Sequence, residues 1–265
     1  MKYALVNNTK TEAMKGAVGR CPICKEPVIA KCGEFRIHHW AHKSKAFCDS
    51  WKENETPWHR EWKNFFPQNW QEYLFEDLKT GERHIADVFT VNNLVIEFQH
   101  SPISQEERRA RETFYSSGGR QMIWVVDGTR LKKDEKKFDE NIEKILLSAT
   151  QAVYTTTIEP EQFFNESWCN SSVPVFFDFF KNTTEKNEAI KKISLLCLLP
   201  KTGDGITRII HVDKQKFLVV SKFYENFFHI IKNTLQTSII HNLRNQHCLS
   251  QSYYRPYYRR RKKRL

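Results

Sequence analysis

The stretch RHIADVFTVNNLVIEFQHS, Arg83 to Ser101, sets Asp87, Glu97 and Gln99 inside two otherwise apolar runs. A carboxylate on a sheet face that meets a core costs several kcal/mol unless it is paired or coordinates a metal. These positions therefore read as a site. A second chemical set lies upstream, where Cys21-Pro-Ile-Cys24 is separated by fourteen residues from His39-Trp-Ala-His42. That spacing suits a tetrahedral Zn2+ site on a small ribbon, with Cys21, Cys24, His39 and His42 as ligands and His38, Cys32 and Cys48 as possible substitutes. A redox C-x-x-C is the rival, but it leaves the downstream HxxH unexplained. A zinc of this kind contributes folding free energy and adds a nucleic-acid contact rather than catalysis.

The elements that position these residues can be read between residues 51 and 150. In ETPWHREWKNFF, Trp58, Trp62, Phe65 and Phe66 recur at helical spacing, with Pro57 suited to a first turn and Pro67 ending the pattern. At about 100° per residue, a helix begun at Glu55 carries that glutamate inside the apolar arc and Glu61 outside it, with His59 and Lys63 at one margin. His59 is otherwise a core-edge histidine, and Lys63 a solvated lysine. Strand-like runs follow on either side of Lys79-Thr80-Gly81-Glu82, and NLVIEFQH supplies a third after Asn92-Asn93. SQEERRARETFYSS opens with a capping box, Ser104 to Glu107, and stops at Gly118-Gly119; QMIWVVDG closes the series as a buried strand. A two-residue Asn92-Asn93 turn would pair Asp87 with Phe98 and put Asp87 and Glu97 on opposite faces. A shared metal thus requires a three-residue connection or a β-bulge, so a register irregularity is predicted there.

The chain has 265 residues, 40% hydrophobic, enough to bury a core without disulfides. The beginning shows neither a signal-peptide core nor a membrane-length apolar run, so a cytoplasmic location is expected. The net charge of +11 suggests an anionic partner. The tail RPYYRRRKKRL holds seven basic residues, and removing them leaves +4. That tail, with Arg259, Arg260 and Arg261, is either a solvated appendage or an arm gripping DNA phosphates. Beyond Gly128, KKDEKKFDENIEKILLSA and NFFHIIKNTLQTSIIHNL read as helices and ITRIIHVDKQKFLVVSK as a hairpin.

The order helix, strand, strand, strand, helix, strand matches the αβββαβ core of the PD-(D/E)XK nucleases. CPIC, HHWAH, ETPWHREWK, HIADV and IEFQHS, in that order, resemble the competence protein CoiA family across roughly residues 20 to 130. The resemblance implies an α/β (α+β) fold with a PD-(D/E)XK-like core; with the shifts in composition along the chain, this divides it into a zinc-ribbon-like module (1–50), a nuclease core (51–150), an α/β region (151–254) and the basic tail (255–265). It also implies a metal-dependent deoxyribonuclease acting on incoming DNA in competence or recombination, with partner proteins of those processes. The superfamily's acidic metal ligands fall on Asp87 and Glu97, with Glu55 added from the first helix. The usual lysine of the E-x-K element is Gln99 here, which can orient a water but cannot act as a base. Hard oxygen ligands select Mg2+ or Mn2+. Lys63, His59 and Gln99 would then face water or phosphate. Arg108, Arg111 and Tyr115 recur on the next helix as DNA contacts or as a solvated face. The alternative is a degenerate nuclease fold that binds DNA without cutting it.

Overall fold

The computed structural model describes residues 1–43, 48–51, 53–130, 154–157, 161, 164–179, 194–201, 207–223 and 227. The basic tail and the proposed helices across 132–149 and 226–243 lie outside these residues, apart from 227.

The first forty residues form a five-stranded antiparallel sheet: β1 (Tyr3–Val6), β2 (Thr9–Glu12), β3 (Val18–Arg20), β4 (Pro27–Lys31) and β5 (His39–His42), in the order β2-β1-β3-β4-β5. Trp40, Val28 and Ala4 are its buried apolar centre.

The core then runs as expected. Helix α1 (Pro57–Asn64) precedes β6 (Gln71–Glu76), β7 (Arg83–Phe89) and β8 (Leu94–Gln99); α2 (Gln105–Ser117) crosses over to β9 (Gln121–Asp127). The crossover makes β8 and β9 parallel, as a helix-length connection must for adjacent strands of one direction. Ser104 caps α2 by accepting the Glu107 amide at 3.1 Å. Helix α1 starts two residues later than expected: Thr56 is its N-cap and Pro57 its first residue, so Glu55 precedes the helix.

The sheet does not end there. β10 (Tyr154–Thr157), β11 (Val175–Asp178), β12 (Ser194–Leu198) and β13 (Thr207–Asp213) extend it to eight strands, in the order β10-β13-β12-β11-β9-β8-β7-β6. The short α3 (Glu166–Cys169) and α4 (Lys214–Phe223) complete the described elements. The predicted hairpin over 206–222 is therefore a correction: only its first half is a strand, and Lys214 starts a helix. KQKFLVVSKF buries Phe217, Leu218, Val220 and Ser221 at helical spacing, a pattern that a short run leaves ambiguous with a strand.

One sheet face packs Val95, Trp124, Val126 and Phe177 against Phe114 and Tyr115 of α2. The other packs Ile96, Phe98, Val125 and Phe176 against Trp62 of α1, Phe66 just beyond it and Phe217 of α4. Glu97 thus belongs to the α2 face by alternation, yet it is a carboxyl group among apolar neighbours.

Candidate metal centres and nuclease-like site

The β7–β8 connection settles how Asp87 reaches Glu97. Val88 pairs with Ile96 and Phe89 with Val95, and the Thr90 amide donates to the Leu94 carbonyl at 2.9 Å. Three residues, Val91, Asn92 and Asn93, make the turn, with Asn93 at φ 60°. A turn ending in a left-handed residue is the usual geometry of a three-residue hairpin, and it brings Asp87 opposite Glu97. The alternation of β7 also breaks at Asp87, since Ala86 sits in the core under α2 but Val88 in the core under α1. There the ladder stops, and the Asp87 carboxylate accepts the Phe98 amide at 3.0 Å.

A pocket opens over this point, lined by Asp87, Glu97, Glu53, Glu55, His59 and Lys63 among others. Glu97 is 4% exposed; Tyr115 donates to its Oε1 at 2.7 Å and Arg111 Nη1 lies 3.8 Å from its Oε2. Burial and the neighbouring Asp87 charge push the Glu97 carboxyl up to about 8. His59 Nε2 is 2.8 Å from the Phe98 carbonyl and 3.1 Å from Glu53. Burial opposes charge on this imidazole, but Glu53 and Asp87 outweigh it and raise its pKa.

Lys63 is central. Its ammonium is buried, 2.9 Å from Glu55, 3.1 Å from Glu72 and 3.5 Å from Asp87. Arg60 also holds Glu55, at 3.1 Å. Glu55, Asp87 and Glu97 therefore do not converge as a carboxylate triad: among the described residues, no three carboxylate, histidine or cysteine ligand atoms gather within 4.8 Å except in the cysteine–histidine cluster. Lys63 lies between Glu55 and Asp87 instead.

Glu53 and Glu72 were not singled out in the sequence. Glu53 takes the Gln99 amide, the Ser101 amide at 3.0 Å and the His100 amide at 3.3 Å. Gln99 spends its other donor on the Ser101 carbonyl, while its Oε1 is buried without a hydrogen-bond partner. Glu72, at φ 44°, accepts the Lys2 and Tyr3 amides at 2.6 and 2.9 Å, latching β1 onto the core. Neither lies in a recognisable helical or alternating pattern; their only sequence signal is acidity beside an element boundary.

Arg108, Arg111 and Tyr115, expected at a DNA-facing or solvated surface, are corrected to the interior. Arg108 is fully buried, paired with Glu112 and the Asn170 carbonyl. Arg111 binds the Trp51 carbonyl and Glu107, and Tyr115 serves Glu97. This helix face is covered by Trp51 and by α3 as well as by the sheet, which helical spacing alone does not reveal. Arg259, Arg260 and Arg261 lie outside the described residues.

The upstream cluster also differs by one ligand. Cys21 Sγ, Cys24 Sγ, His42 Nε2 or Nδ1 and Cys48 Sγ lie within 4.8 Å of one another; Cys21 to Cys48 is 3.5 Å, Cys24 to His42 3.3 Å and Cys48 to His42 3.6 Å. Zn–S and Zn–N bonds of about 2.3 and 2.0 Å give tetrahedral edges of about 3.5 Å (S to N) and about 3.8 Å (S to S), close to these separations. The donor set fits zinc. Lys25, at φ 61°, closes the knuckle by donating its amide to Cys21 at 3.1 Å. His39 is a correction: it and His42 are three apart on a strand, so they point to opposite faces. His39 Nδ1 lies 2.9 Å from the Ile37 carbonyl, and Cys48 replaces it.

Among the described residues no helix is long and apolar enough to cross a membrane. No curated protein and no solved structure matches the chain. Two family models do: competence protein CoiA, N-terminal domain, over residues 5–50, and competence protein CoiA, nuclease-like domain, over residues 72–173. The first spans the cysteine–histidine module and the second carries Asp87, Glu97 and Gln99, together more than half the sequence. With both domains present in this order, the chain belongs to the competence protein CoiA family.

Proposed function

We propose that this protein is a metal-dependent deoxyribonuclease that hydrolyses phosphodiester bonds, acting in the cytoplasm on incoming DNA in competence or recombination. The supporting observation is the opposition of Asp87 and Glu97 in a pocket that also carries a buried ammonium. Two crowded carboxylates, with Glu97 raised by burial and by Asp87, form a hard-oxygen donor pair that a divalent cation would relieve. Asp87, Glu97 and the Phe98 carbonyl would hold Mg2+ or Mn2+. Such an ion supplies Lewis acidity and makes water nucleophilic near neutral pH.

The protein's own residues do the rest. Lys63 neutralises Glu55 and Glu72 and sets a fixed positive charge beside Asp87 in the pocket wall, which favours an approaching phosphate. His59 is oriented by Glu53 and bridges to the Phe98 backbone. Gln99 positions Glu53 through its amide rather than acting on substrate. Cys21, Cys24, His42 and Cys48 would hold a structural Zn2+.

A second reading, DNA binding without cleavage, has its own support in Lys63, a fixed cation standing beside Asp87 where a catalytic ion would compete. The two are separated by incubating single-stranded, double-stranded and branched DNA with the protein and Mg2+ or Mn2+. Cleavage abolished by Asp87→Asn and by Glu97→Gln, with folding intact, is the expected result. Binding without metal-supported cleavage would transfer the assignment to the second reading.

A further inference from the structure

One member of the cysteine–histidine cluster, Cys48, comes after the last strand of the five-stranded sheet, on the segment that leads from it to the pocket. Asp49 follows it directly. Its Oδ1 is 3.0 Å from both the Trp51 amide and His84 Nδ1, and its Oδ2 accepts the Ile85 amide at 3.2 Å. The Trp51 ring lies flat on His84, with centroids 3.2 Å apart and planes 8° from parallel. The Trp51 carbonyl accepts the Arg111 guanidinium at 2.6 Å, and Arg111 in turn lies 3.8 Å from Glu97.

We propose that Asp49 and Trp51 are positioning residues that transmit the assembly of the cysteine–histidine cluster to the nuclease-like pocket, by holding Arg111 against Glu97. The proposal rests on the reading that Glu97 belongs to the functional site. The path is short and each step is a polar or stacked contact: Cys48 is bonded to Asp49, Asp49 fixes Trp51 and β7, and Trp51 fixes Arg111. Arg111 is buried and its Nε lacks a hydrogen-bond partner, so its Nη contacts and the Trp51 and Trp124 rings, 5.6 and 5.7 Å away, orient the guanidinium. Glu107, another acceptor, lies one turn away on the same half-exposed rim of α2 and cannot register α2 against the module. Among the described residues, the Trp51 carbonyl and the Trp51 ring, 5.6 Å from the guanidinium, tie Arg111 to the segment leaving the cluster. Cys48, Asp49 and Trp51 also line the pocket itself, so releasing this segment would remove part of its wall.

The test uses the full chain loaded with zinc and reads the side-chain Nε–H signals of arginine by NMR. Arg111→Lys assigns the Arg111 signal. Arg108, on the same helix but tied to Glu112 and Asn170, is the internal control. Asp49→Asn preserves size and every cluster ligand. The expected result is stoichiometric zinc, unchanged Arg108 exchange, and Arg111 Nε–H exchange accelerated about tenfold or more. Removing zinc with a chelator should also accelerate Arg111 selectively. Unchanged Arg111 exchange in Asp49→Asn overturns the proposal, as does equal acceleration of Arg108, which would be general loosening. Titrating Mn2+ into the unmodified protein separates this from the nuclease reading. Paramagnetic broadening of Arg111 supports an ion beside Glu97; its absence rejects that ion while the exchange result still decides the link.

Discussion

Lys63 carries the largest electrostatic responsibility of any single side chain in the pocket. Burial acts against its charge, but Glu72, Asp87 and Glu55 outweigh that and raise its pKa. Removing one member of a buried ion cluster leaves the others uncompensated, which typically costs about 3–5 kcal/mol. Lys63→Met should therefore lower stability by about that much, read as a fall in urea midpoint at unchanged slope. A loss below about 1 kcal/mol would mean that the three carboxylates rearrange or take up protons without strain. The ligand assignment makes a second residue-scale prediction. Cys48→Ala and His42→Ala should lose stoichiometric zinc, while His39→Ala should keep it; zinc loss in His39→Ala would restore the HxxH pair.

At the scale of elements, the β7–β8 turn determines whether Asp87 and Glu97 meet. Asn93 supplies the left-handed residue at φ 60°, where asparagine is tolerated, glycine is free and a β-branched residue is strained. Asn93→Gly should be neutral within about 0.5 kcal/mol, whereas Asn93→Val should cost about 1–2 kcal/mol in urea unfolding. Equal stability of the two would show that the turn is not holding this register. Much of this geometry was legible in advance. Ordered motifs gave the six core elements, and requiring a shared site implied the register irregularity. What escaped reading depended on position relative to an element's start or face. Glu55 was placed on a helix wheel although Pro57 begins the helix, and His39 was paired with His42 although β5 alternates. Arg108 and Arg111 look solvated on α2 because the groups that cover them come from distant segments, Asn170 and Trp51.

At the scale of the whole molecule, the N-terminal module and the nuclease-like core share a boundary rather than a linker. The module's apolar cluster reaches Leu74 and Ile85 in the core sheet, and Glu72 grips the start of the first strand through the Lys2 and Tyr3 amides while pairing with Lys63 of α1. Burial alone would raise the Glu72 carboxyl, but Lys63, the N-terminal ammonium and those amides outweigh it and hold it at about 2. Its folded pKa lies below the ordinary 4.5, so its stabilisation is present in full above pH 4.5 and is lost as pH falls from there through about 2. The urea midpoint of the unmodified protein should therefore drop more between pH 7 and pH 3 than that of Glu72→Gln. Glu72→Gln begins lower at pH 7, because an amide cannot accept two backbone N–H groups and a lysine with the charge of a carboxylate. Parallel pH dependence in the two proteins would mean that this latch keeps its proton balance on unfolding. A steeper fall in the unmodified protein would locate part of its acid sensitivity at the seam where the metal-ligating module joins the pocket, so that opening the seam and disassembling the site would be one event.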